Sequence, residues 1–512
     1  MICVAAGACA SAATYQVGPA RTHTSLTALF NAVNLEPGDV VEVDANGGTL
    51  YNVGSPGIVM GSGDAGAPGN PVILRGIRQN GQRPILAGGT NTIEFRSSNH
   101  VVFENFEVTG GSSRCVFHHA HDVTLRGVLV RDCPAQGVLG ADQDSGSLTI
   151  EYSEVRNIGG RSRDHAVYMS TDQIAYPGSV FRLQYSYLHD SWFEANPLNT
   201  DGGNLIKSRA ERNEIYYNWL ADAFYHELEL IGPDPDGVQS GWTDATARED
   251  SDIVGNVIVH SADFGSMLRF GGDATSGGRG ESFGRYRFVN NTVVRLGAGT
   301  TTPTVFRLFE GIESLEFHNN VFWRDGTASM TLVRAAEAQW TNGPRVTGSN
   351  NWIKSNFVYN PSDLPATLTG TRTGTTPGFT NATLLDFRPD VGSPLLDAGG
   401  MGTVTPPNFD LANPLFPPTR HPPPAAELAI GALVVRPVAN AIDIGAYERP
   451  DLGIVFTDGF ELEGAMAPTA NRLVVVPAAA RLPAPEILRH WRHSPADGSV
   501  TAQGEDVSAF SA

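Results

Sequence analysis

Ile215-Tyr-Tyr-Asn218, Ile253-Val-Gly-Asn256, Phe288-Val-Asn-Asn291 and Phe317-His-Asn-Asn320 are copies of one short string, in which an apolar residue stands three places before an asparagine. Earlier copies read Val102-Phe-Glu-Asn105, Thr124-Leu-Arg-Gly127, Ile150-Glu-Tyr-Ser153 and Leu183-Gln-Tyr-Ser186, and Asn350-Asn351 is a degenerate last one. Each string belongs to a unit of short apolar strand, polar turn, second strand and loop, repeated from about 70 to 355. The step from one string to the next varies between 22 and 38 residues. Constant strings separated by variable loops describe a solenoid, whose insertions can leave only at the corners of its coils. Asn, Gly and Ser at the fourth place suit a corner that tolerates left-handed backbone and hydrogen-bonds its copy one coil away. A β-sandwich also has closely spaced turns, but does not require those residue types at one place in every unit. The expected fold is an all-β, right-handed parallel β-helix over residues 15–390, of some ten coils and about 50 Å at about 4.8 Å per coil.

The flanks read differently. Ser25-Leu-Thr-Ala-Leu-Phe-Asn-Ala-Val-Asn34 has helical spacing and suits a short helix capping the open end of the rod. Within residues 1–14, Ala10-Ser-Ala-Ala13 resembles a cleavage region but lacks a basic start and a full apolar core, so it reads as a signal-peptide remnant behind a misplaced start. Residues 391–462 form a separate C-terminal segment, and 463–512 read as a disordered tail.

Charged residues make up 17%, with 57 Gly and 33 Pro, so turns are favoured over long charged helices. A balance of 35 basic against 54 acidic residues, net −19, argues against nucleic acid as a partner, and no apolar run is long enough to span a membrane. A secreted or cell-surface place and a monomeric chain are expected. Cys115 and Cys133 either pair in an oxidising compartment or remain buried thiols. Only two basic residues are lysines, Lys207 and Lys354. A lysine kept in an arginine-biased chain suits chemistry that needs an amine able to lose its proton.

The first strands give a second alignment: His165-Ala-Val-Tyr168, Asn204-Leu-Ile-Lys207, His226-Glu-Leu-Glu229, Ser266-Met-Leu-Arg269 and Thr304-Val-Phe-Arg307. Apolar third positions point inward, so Tyr168, Lys207, Glu229, Arg269 and Arg307 form an outward column; Cys115-Val-Phe-His118 would extend it. A plain solvated face would be polar too. However, the column mixes a proton-transfer side chain, an amine, a carboxylate and two guanidinium groups, and long insertions at 171–180 and 232–250 leave from the same coils, as walls of a cleft would.

The run from Asn204 through Lys207-Ser-Arg209 to Tyr216-Tyr-Asn218 resembles the Lys-Ser, Asn, Tyr-x-Asn segment of the chondroitinase B and alginate lyase family of β-helix polysaccharide lyases. The strings His165-x-x-Tyr168, Ile206-Lys-Ser-Arg209 and Glu227-Leu-Glu229 resemble secreted bacterial right-handed β-helix repeat proteins. Gly392-Ser-Pro-Leu-Leu-Asp-Ala-Gly399, Ile442-Asp-Ile-Gly-Ala-Tyr-Glu448 and Phe456-Thr-Asp-Gly-Phe-Glu461 are similar to their choice-of-anchor ends. The resemblance implies a pectate-lyase-like solenoid acting on a polysaccharide, with Lys207 as Brønsted base. The family's basic partner one coil later has no counterpart between Leu228 and Ile231. β-Elimination from a uronate requires its carboxylate to be neutralised, by calcium or by arginine, so calcium is a candidate cofactor. Arg209 would lower the pKa of Lys207 by like charge, Tyr168 or His165 would protonate the leaving oxygen, and Arg269, Arg307, Glu229, Glu227 and His226 would line the substrate site. Two other readings stand: a glycoside hydrolase using Glu229 with Glu227 on the same face, or with Asp222, and a non-catalytic carbohydrate-binding or surface solenoid.

Overall fold

The protein is seen in a computed structural model that describes residues 12–192, 202–233, 249–261, 265–272, 282–297, 303–309, 312–335, 346–360, 362, 366–402, 411–437 and 441–450. The terminal motif at 456–461, the tail, most of the insertion at 232–250 and most of the expected leader lie outside the described residues.

The chain winds into a right-handed parallel β-helix of three sheets. The first sheet has 13 strands, from Thr14–Val17 to Ala366–Thr369; the second has 12, from Tyr51–Val53 to Arg372–Gly374; the third has 11, from Ile58–Met60 to Phe357–Asn360. Within these sheets every strand pair is parallel and each coil visits the sheets in that order, so like residues stack. Phe103, Leu125, Ile150, Leu183, Ile215, Ile253, Phe288 and Phe317 form one inward stack on the first sheet, all buried. The expected inward residues of the third sheet, Val167, Ile206, Leu228, Leu268 and Phe306, form another. This continuous apolar interior, stacked strand upon strand, is the driving force for winding.

The corner between first and second sheets carries the string that identified the fold, with one correction of register. The left-handed residues are Asn105, Gly127, Tyr152, Tyr185, Tyr217, Gly255, Asn290, Asn319 and Asn350. From the third copy onward the string's fourth residue is therefore the next one, pointing into the core, whereas Asn105 and Gly127 occupy the left-handed place itself and Phe106 and Val128 follow inside. Two roles that the sequence merges into one position are divided between neighbours. The inward asparagines make a ladder: the backbone N–H groups of Asn218, Asn256, Asn291 and Asn320 each donate to the Oδ1 of the asparagine one coil on, at 2.8, 2.8, 2.8 and 3.0 Å.

Ser25 caps a single helical turn, Leu26–Phe30, shorter than its pattern suggested, with Leu26 and Leu29 buried against the end of the rod. Cys115 and Cys133 are disulfide-bonded, joining the third sheet of one coil to the second sheet of the next. Beyond the last coil, Phe379–Asn381 and Asp386–Pro389 form an antiparallel pair. The chain then runs back along the outside of the corner between the first and second sheets.

Candidate functional site

The outward column on the third sheet is continuous. Tyr168 pairs with Lys207, Lys207 with Glu229, Glu229 with Arg269 and Arg269 with Arg307, coil upon coil with no skip. It continues to Arg334, which sequence reading missed. The signal was present, because Thr331-Leu-Val-Arg334 repeats the pattern of Thr304-Val-Phe-Arg307. In the other direction the register leads to Leu139 and Phe117, so His118 does not extend the column. His118 is the next residue along an alternating strand and points inward, fully buried.

Glu229 organises the centre. Its Oε1 accepts from Nη1 of Arg269 at 2.7 Å and its Oε2 from Nδ2 of Asn204 at 2.7 Å, with Nζ of Lys207 at 3.5 Å from Oε2. The Lys207 side chain is 14% exposed and that of Glu229 3%. Lys207 also stands 5.5 Å from the centre of the Tyr168 ring, whose hydroxyl accepts from Nε of Arg209 at 3.0 Å. Arg209 is fixed by a second donation, Nη1 to the carbonyl of Gly232 at 2.6 Å. Arg269 and Arg307 lie over the ring of Phe309 at 4.8 and 5.3 Å, a packing that orders both guanidinium groups.

A row of polar residues borders the column. His165 meets the Tyr168 ring edge-on at 5.6 Å, and its Nδ1 accepts from the backbone N–H of Asn204 at 3.0 Å. The Nδ1–H of His226 donates to the carbonyl of Ser266 at 2.8 Å, and burial lowers the pKa of His226 to about 4. His226 is therefore neutral at physiological pH and lines the site without charge.

Glu227 does not share the open face with Glu229. It lies just before the strand, fully buried, and its carboxylate accepts from His260 at 2.8 Å; burial raises its pKa. Asp222 is turned into the corner against Ser261, its pKa raised to about 6 by burial. The column thus contains one carboxylate between Tyr168 and Arg334, already engaged on both oxygens. That donor set does not fit calcium, which takes six to eight oxygen ligands. Among the described residues no group of three or more His, Cys, Asp or Glu is arranged to hold a metal.

No protein-family profile and no curated protein matches the sequence. Solved structures with a similar course include a pectate lyase, Pel9A, at TM-score 0.48 and 14% identity over 86% of this chain and 97% of that one. A rhamnogalacturonan lyase gives 0.43 and 13% over 74% and 94%. An alginate lyase from Paenibacillus sp. str. FPU-7 gives 0.35 and 14% over 71% and 99%.

Proposed function

We propose that this chain is a secreted polysaccharide lyase that cleaves a uronate-containing glycan by β-elimination. The observation that carries the reading is the unbroken column in which an amine, a phenol held by a guanidinium, a shared carboxylate and further guanidinium groups face one way within successive coils. Lys207 takes the proton at C5 of the uronate. Arg269 and Arg307 face the substrate carboxylate and stabilise the enolate that forms as the proton leaves. The C4–O4 bond then breaks, Tyr168 delivers its proton to O4, and the product keeps a double bond between C4 and C5. Arg209, donating to the Tyr168 hydroxyl, stabilises the phenolate left behind. Glu229 orients Lys207, and His165 orients the Tyr168 ring. The buried Cys115–Cys133 bridge supports an extracellular place of action.

A two-carboxylate hydrolase gains no support, because Glu227 is fully buried against His260 and Asp222 is turned into the corner against Ser261, neither on Glu229's face. The test is incubation with a panel of uronate polysaccharides, following the ultraviolet absorbance of an unsaturated product. Lyase action gives that absorbance; reducing ends released without it would indicate a hydrolase, and binding without either product would indicate a non-catalytic protein.

A further inference from the structure

The polar column ends differently in its two directions. Toward the C-terminal end, Arg269, Arg307 and Arg334 are direct register partners in three consecutive coils, about 4.8 Å apart. Arg269 is tied to Glu229, and Arg269 and Arg307 both rest on Phe309. Arg334 is different: it is exposed, and among the described residues it has neither a hydrogen bond nor an ion pair. Toward the N-terminal end, the residues in register with Tyr168 are Leu139 and Phe117, both partly exposed, and the next charge in the column is the carboxylate of Glu94. The nearby cation on that side, Arg114, lies over the ring of Phe117 at 4.0 Å, and Arg96 is paired with Glu94.

We infer that Arg334 forms a distal subsite for a second carboxylate of the same glycan, so that the substrate is a run of acidic sugars extending from the reacting unit toward the C-terminal end of the rod. The inference rests on the lyase reading for the position of the reacting unit. An unpaired guanidinium costs nothing to redirect, and its planar fork suits a carboxylate. A glycan lying along the column meets the same sign of charge at each coil in one direction only. On the opposite side it meets an apolar surface and then the buried Glu94, whose charge is balanced by Arg96, so no unpaired guanidinium of the column waits there. The site therefore prefers a chain whose acidic sugars follow one another on the C-terminal side, and it places no such demand across the scissile bond.

Binding is measured by calorimetry on the full chain, with oligogalacturonides and oligomannuronates from dimer to octamer and with fully methyl-esterified oligogalacturonides as uncharged controls. For the wild type, affinity for at least one acidic series should rise with length. Arg334→Gln should lose about five- to tenfold in affinity for the longer acidic oligomers. It should leave dimers and esterified chains unchanged, and Arg334→Lys should recover part of the loss. The inference is overturned if Arg334→Gln binds every length as the wild type does, or if the wild type binds neither acidic series. Length-dependent binding that Arg334→Gln weakens, without any unsaturated product, would remove the lyase reading and keep the subsite. Normal cleavage with unaltered length dependence in Arg334→Gln would do the reverse.

Discussion

Lys207 and His118 mark the two ways in which a single side chain matters here. Lys207 faces out, beside Glu229, Tyr168 and the Arg209 guanidinium that holds Tyr168. Its replacement by arginine keeps the charge and the pairing with Glu229, so folding should be unaffected. A guanidinium does not release its proton, however, and losing general-base action should lower kcat by about 10²- to 10⁴-fold. Wild-type turnover by Lys207→Arg, on a substrate that the parent cleaves, would exclude Lys207 as the base. His118 faces in. Its Nε2 donates to the Gly146 carbonyl at 3.3 Å, and burial lowers its pKa from 6.5 to about 4. Between those two pH values the unfolded chain binds a proton that the folded chain does not, so this residue's contribution makes stability fall as pH falls. Taking pH 5 against pH 7, the wild type should lose about 2 kcal/mol that His118→Leu does not. Urea unfolding of both proteins at the two pH values measures that difference, in which all other titrating groups cancel.

At the scale of the element, the asparagine ladder shows what a repeat makes legible. Register along the rod could be read because each corner needs the same backbone event, and few residue types serve it. What could not be read was which of two adjacent residues turns and which bonds. Either place accepts Asn, so Asn290-Asn291 and Asn319-Asn320 are ambiguous as strings, and the offset at Asn105 and Gly127 is resolved only by the inward burial of Phe106 and Val128. The same limit applies to the site. The alternation that aligned Tyr168 to Arg307 is local, whereas the burial of Glu227 depends on His260, a partner 33 residues away. Asn256 allows the ladder to be tested. Its side chain accepts from the backbone and the side chain of Asn218 at 2.8 and 3.0 Å, and donates to the Ile215 carbonyl and to Asn291 at 2.9 Å each. Asn256→Ala leaves those groups buried and unpaired, and should cost about 3 kcal/mol or more in urea unfolding. Asn256→Ser should cost less, since Ser186 and Ser153 accept the equivalent backbone N–H two and three coils earlier, at 3.1 Å each. Equal stability of Asn256→Ala and the wild type would show that the ladder is ornament to a rod held by its apolar stacks.

For the molecule as a whole, the C-terminal segment supplies what the repeat does not. Leu415 donates to Asp252 at 2.9 Å, Thr419 to the hydroxyl of Tyr217 at 2.9 Å and Ala446 to Thr292 at 3.0 Å, while Glu427 pairs with Arg83. These contacts fall on the first and second sheets and cover aromatic side chains that point outward there, Trp219 and Tyr187 among them. The proline-rich sequence gave no hint of this path, because it has no period and its partners lie up to several hundred residues earlier. One residue closes the segment. Arg436, fully buried, donates to Glu448 at 3.2 and 3.0 Å and to the carbonyls of Gly445 and Asp443 at 3.0 Å each. Arg436→Ala leaves the Glu448 carboxylate without its cation, a change that costs about 3 to 5 kcal/mol when a buried pair is broken. The interior of the rod is a separate apolar cluster that contains no residue of this segment. The loss should therefore open the segment and leave the coils wound. Native-state trypsin digestion should cut the variant between 399 and 450 under conditions in which the wild type resists, with tryptophan emission shifted to the red. The contacts of the segment given above, all among the described residues, fall away from the third sheet, so cleavage of a uronate substrate should persist in the variant. Digestion identical to that of the wild type would mean that the segment is held without Arg436, and lost cleavage in a variant that keeps its strand content would mean that it reaches the site after all.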